Sequence, residues 1–189
     1  DAQYGTMQYS LSSSASFSTE IPTKTDAGTY TVYYKVVGAE GYKDTTAKSI
    51  TVTISPVKID HVMFSKDITK TYSGSAEFTL TVAEASNCLQ FYDETNYPID
   101  VPVGAYAVSG GVRFLAENAE GEFVDSPEAG KKSFIQFTVK LYSKNYVLQG
   151  IDDTKPASEW LCTQYGGANF TINQATVTPN EITQLIFND

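Results

Sequence analysis

The chain has 189 residues, with 22 acidic against 13 basic side chains and a net charge of -9. So acidic a surface has no basic field to displace counterions from DNA or RNA, and no nucleic-acid partner is expected. One histidine, His61, and one arginine, Arg113, leave little room for His-based catalysis or a His-rich metal site. No run approaches the ~18–20 apolar residues of a bilayer span, so no membrane insertion is expected. The chain opens on Asp rather than Met, which reads as a segment of something longer.

Hydrophobic residues make up 41% of the chain, and 13 Tyr and 10 Phe stand among many Thr and Val. These types suit a pleated, half-buried surface. Apolar residues recur with period two rather than at i, i+3, i+4, i+7, so an all-β protein is expected. Helix-like stretches are short, near residues 83–86 and 179–186.

Taken in chain order, residues 6–11 form the first strand, with Met7, Tyr9 and Leu11 on one face. A Ser-rich turn follows, then a short strand near Phe17 and Ile21 that Pro22 ends. Asp26-Ala-Gly-Thr-Tyr30 opens a long strand to Val37, with Tyr30, Val32, Tyr34 and Val36 on one side. Tyr30 is placed as a tyrosine corner, its hydroxyl bonding back to upstream backbone. Residues 38–41 make a Gly-containing hairpin loop, and residues 49–54 return with Ile50, Val52 and Ile54 inward. Pro56 ends this unit. A full immunoglobulin-type sandwich needs ~85–100 residues and about seven strands, so residues 1–56 read as the C-terminal part of one, N-terminally incomplete.

A second unit spans 57–179. Strands are expected at 69–72, at 76–82 with Phe78, Leu80 and Val82 inward, and at 89–92. Gly110-Gly111 marks a hairpin or bulge between two further strands. Residues 117–130 read as an acidic loop, and 133–142 as the strongest strand, with Ile135, Phe137, Val139 and Leu141 buried. Residues 145–148 form a short strand, and 169–173 and 175–179 the closing one. Residues 180–189 are a tail or the start of a following module. The two units end alike, on an alternating β-branched strand and then Pro56 or Pro179, which is how β modules are strung end to end.

Thr6-Met-Gln-Tyr-Ser-Leu11 and Ile21-Pro-Thr-Lys-Thr-Asp-Ala-Gly-Thr-Tyr-Thr-Val-Tyr-Tyr-Lys-Val-Val-Gly38 resemble the tandem repeats of large bacterial surface proteins, of the bacterial immunoglobulin-like and MBG type. Lys70-Thr-Tyr-Ser-Gly74, Ala129-Gly-Lys-Lys-Ser-Phe134, Ser143-Lys-Asn-Tyr-Val-Leu148 and Phe170-Thr-Ile-Asn-Gln-Ala-Thr-Val-Thr-Pro179 resemble the related YDG-type repeat. Ser73 departs from that family's usual Asp, and residues 86–128 and 149–168 have no obvious counterpart. The resemblance implies two consecutive immunoglobulin-like β-sandwich modules. It also implies a stalk, spacer or adhesin on an exported, cell-surface protein, with neighbouring modules of the same chain as partners and no catalytic residues.

Little else in the sequence points to chemistry. Acidic residues are plentiful, but sequence spacing sets no pair across a substrate. Asp93-Glu94 and Asp152-Asp153 are pairs rather than a calcium loop, His61 alone is not a metal site, and no cofactor is expected. Cys88 and Cys162 either join in a disulfide, worth roughly 3–4 kcal/mol, or remain buried thiols. The alternative to a stalk is a carbohydrate- or host-protein-binding module working through loops 86–100, 117–130 or 150–167. Tyr92, Tyr97, Trp160 and Tyr165 are its candidate rings, set against the ordinary role of such residues in a core.

Overall fold

The computed structural model describes residues 4–149 and 159–176. Strands are their dominant regular structure, with one short helix, so the chain is all-β. Contacts divide it into two compact units, residues 1–58 with 143–147, and residues 59–142 with 148–189. The helix-like stretch at 179–186, the Pro179 joint and the tail at 180–189 lie outside the described residues, as do residues 150–158 of the 150–167 loop candidate.

The first unit is built on an antiparallel sheet of β1 (Gly5–Ser10), β2 (Gly28–Gly38) and β3 (Lys48–Ile54), in that order. Tyr30 pairs with Val52, Val32 with Ile50, Tyr34 with Tyr9 and Val36 with Met7. Directly paired residues share a face, so one face is apolar across all three strands, as the alternation predicts. It is not covered, however. Ile50 remains 51% exposed and Val52 41%, because the described residues of this unit supply no second layer against it. The short strand expected near Phe17 is reduced to a single bridge from Ser18 to Tyr9. Residues 26–30 and 143–145 are tightly tied within this unit. The Tyr30 hydroxyl donates to the Asp26 carbonyl at 2.8 Å. The Ala27 amide donates to Asn145 Oδ1 at 2.6 Å.

After Pro56 the chain continues in β4 (Val57–Ile59), β5 (His61–Phe64), β6 (Ile68–Thr71) and β7 (Glu77–Phe78), then α1 (Val82–Cys88). The strand expected over 76–82 is cut short. Thr81 accepts a hydrogen bond from the Glu84 amide while Glu84 accepts one from the Thr81 amide, a reciprocal cap that starts a helix instead. Val82, expected inward, is therefore 67% exposed in the first turn. Next come β8 (Leu89–Tyr92), β9 (Pro98–Ile99), β10 (Tyr106–Glu117), β11 (Phe123–Asp125), β12 (Gly130–Leu141), β13 (Tyr146–Leu148) and β14 (Glu159–Asn173). The Gly110-Gly111 pair is a bulge inside β10 rather than a hairpin, with Gly110 at φ 71° and the register to β12 slipping beside it. A Cβ at Gly111 would collide with the Glu77 side chain, which crosses there on β7.

Two sheets supply the core of the second unit. The larger runs β11-β10-β12-β14-β6, with β7 on β10, and β6 pairs in parallel with the end of β14. The smaller runs β5-β8-β9. Phe64 of the smaller sheet meets Phe137 of the larger with ring centroids 4.5 Å apart, and Phe91 meets Tyr106 at 4.7 Å. Ile135, Phe137, Val139 and Leu141 are sealed, each at most 4% exposed. Strands β4 and β13 form a two-stranded ladder of their own.

Candidate functional site

The most built feature of the second unit lies where β14 leaves its register. Lys132 pairs with Phe170 and Phe134 with Tyr165, so Ser133 alone stands opposite residues 166–169. The extra residues loop outward because Gly166 and Gly167 take φ of 69° and 77°, a region that costs side-chain-bearing residues roughly 1 kcal/mol or more. At Gly167 space adds to the demand, since a Cβ would press to 3.0 Å on the Met63 methyl and 3.2 Å on Gln164 Nε2.

Buried Gln164 anchors the bulge from below. Its Oε1 accepts from the Phe64 amide at 2.6 Å, and its Nε2 donates to the carbonyls of Phe64 and Gly166, both at 2.8 Å. The side-chain amide thus stands in for a strand neighbour to β5. From the side, Asp67 holds Asn169, accepting from its amide at 2.9 Å and from its Nδ2 at 3.0 and 3.1 Å. Those bonds, the backbone one first, hold the Asp67 carboxyl below the usual range.

The bulge opens a cleft of about 480 Å³ lined by Tyr165, Gly166, Gly167, Asn169, Asp67, Lys131 and Ser133, among others. Tyr165 is 75% exposed. Its ring packs on Phe134 at 5.0 Å, and Phe134 packs on Phe123 at 4.8 Å, an aromatic row across β14, β12 and β11.

The other candidate rings do not join Tyr165. Trp160 lines a second cleft of about 400 Å³ with Asp60, His61 and Cys162. Tyr92 stacks on His61 at 4.8 Å with planes 12° apart. Tyr97 stands 70% exposed beyond a turn in which Asp93 Oδ1 accepts from the Tyr97 and Thr95 amides. Trp160 and Tyr165, expected on a loop, lie on β14. The alternation of Trp160, Cys162 and Gln164 on the inner face carries the strand through residues that the resemblance left without a counterpart.

The second cleft holds a thiol, an imidazole and a carboxylate, but they are not arranged as a nucleophile. His61 Nδ1 lies 3.1 Å from Asp60 Oδ2, whereas the Cys162 thiol donates to the Trp160 carbonyl at 3.8 Å. Burial pushes that thiol's pKa up to about 12, so the reactive thiolate is scarce at neutral pH. Cys88 and Cys162 are both free thiols in this structure, not joined as a disulfide. Among the described residues, no three His, Cys, Asp or Glu side chains gather as a metal site, and no helix is long and apolar enough to cross a membrane.

Sequence reasoning passed over Gln164, Asp67 and the Gly166-Gly167 bulge. The available signal was a glycine pair interrupting an alternating run, which marks a bulge in a strand. No protein-family model, characterised protein or solved structure matches this chain.

Proposed function

We propose that the chain is a non-catalytic spacer or adhesion segment of an exported bacterial surface protein. In this reading it is built of two immunoglobulin-like β-sandwich modules, an MBG-type module ending near Pro56 and a YDG-type module from 57 to 179. The observation that carries the reading is how the molecule uses its carboxylates. Five of them sit below their ordinary pKa, and in each the first cause is a hydrogen bond that staples a loop or cap: Asn145 on Asp26, the Gly38 amide on Asp44, the Asn169 amide on Asp67, the Thr81 amide on Glu84 and Thr95 on Asp93. Each of these carboxylates is engaged as a hydrogen-bond acceptor that fixes a loop or cap of the scaffold. The Tyr30 bond to Asp26 supports the first module, since it is the bond a tyrosine corner makes.

The test is cellular. Antibodies raised against residues 1–189 should label intact source cells, and surface proteolysis should remove the label. Labelling that requires lysis would overturn the reading.

A further inference from the structure

We propose that the cleft at the β14 bulge is a binding site for a neutral pyranose sugar, stacked on Tyr165. The inference supplies the adhesive part of the reading above and rests on it only for where the sugar would be met.

The cleft's chemistry narrows the ligand. Tyr165 is backed on one side by Phe134 and leaves most of its surface to solvent. A ring so supported offers a flat apolar face at little entropic cost. Around it stand a carboxylate, Asp67, a hydroxyl, Ser133, and the cation Lys131, while the ammonium of the second lining lysine, the buried Lys132, is engaged with Ser126 Oγ at 2.8 Å. Asp67 and Lys131 line the same cleft. An anion would be drawn to Lys131 but repelled by Asp67, and a cation the reverse. A polyol satisfies both, because each hydroxyl can accept from the ammonium and donate to the carboxylate. A ligand with one apolar face and several neutral hydroxyls is a pyranose. The volume, about 480 Å³, falls in the range of small-ligand clefts, about 300–1,000 Å³.

The supports are rigid where precision is needed. Asn169 locks Asp67 by three hydrogen bonds, and Gln164 fixes the Gly166 carbonyl from beneath. Gly167 leaves the floor without a side chain because Met63 and Gln164 already occupy that space. The bulge is thus a preformed concavity beside an exposed ring, and a ligand would have little ordering to impose on it.

The test uses the whole chain on an array of neutral oligosaccharides ending in glucose, galactose, mannose or N-acetylglucosamine, with sialylated and sulfated glycans alongside. Neutral glycans should be captured, with amide resonances of Tyr165, Gly166 and Gly167 shifting when the captured sugar is titrated into the unsubstituted chain. Tyr165→Ala should weaken binding at least about tenfold, while Tyr165→Phe, which keeps the ring, stays within about threefold. Tyr97→Ala, on a different hairpin, should change nothing. Capture of charged glycans alone, no capture at millimolar sugar, shifts confined to other residues, or full binding by Tyr165→Ala would each overturn the site. Surface labelling with no sugar capture would remove the cleft and leave the spacer reading intact; sugar capture by a chain found inside cells would do the reverse.

Discussion

The β2 strand of the first unit and the β12 strand of the second carry the same kind of pattern, a polar residue alternating with an apolar one along most of the run. Their fates differ. On β12 the row Ile135, Phe137, Val139 and Leu141 is sealed beneath Phe64 of a facing sheet. On the first sheet the equivalent row stays open, with Val52 beside Tyr30 still 41% exposed. Alternation decides which side of a strand is apolar. It does not decide whether another layer arrives to cover that side, and most of the stabilisation from burial depends on that arrival.

The sharpest way to break this contrast is to truncate one residue from each row. Phe137→Ala removes a fully buried ring and should cost about 3–5 kcal/mol, measured by urea unfolding followed through Trp160 on the neighbouring strand. Val52→Ala should cost less than about 1 kcal/mol, read by circular dichroism. A cost near that of Phe137 would mean the open face is buried in solution and the contrast is false.

Gln164→Leu comes next. It keeps the volume but leaves the Phe64 amide and carbonyl without their partner, which should cost about 2–3 kcal/mol and speed hydrogen exchange at Phe64. A neutral result would show that β5 is held by apolar contact alone. Tyr30→Phe should cost about 0.5–1 kcal/mol, since it removes one exposed hydrogen bond to Asp26 and keeps the ring. No change in melting would leave the corner without a stabilising role.

The smallest expected effect is acidic. The folded pKa of Glu84 is about 2 against an ordinary 4.5, so its contribution is present above about pH 4.5 and is lost as the pH falls through 2. Asp26, Asp44, Asp67 and Asp93 shift the same way. Melting temperature should fall as the solution is acidified through that window. Glu84→Gln should flatten the lower part of the fall by about 0.5 kcal/mol at most, because the group is solvent-exposed. An unchanged acid profile in that variant would mean the cap adds nothing.

Much of this molecule was legible before any coordinates. The inward row of β12 and the apolar face of the first sheet follow from period two, because pleating sends neighbouring side chains to opposite sides. The helix at Val82–Cys88 was half legible. Its middle was visible in the sequence, but the reciprocal Thr81–Glu84 cap that overrides the strand pattern was passed over. The site was the least legible part. Tyr165 stood among the candidate rings, yet its cleft depends on Asp67, Lys131 and Gln164, which are far apart in the chain and carry no common motif. Sequence alone settles local matters: which residues alternate, where a glycine pair must bend the backbone, and that the chain as a whole is acidic. The tertiary structure decides which apolar rows are covered, which thiols stay apart and which polar side chains meet, because those outcomes depend on contacts across a hundred residues that no local pattern encodes.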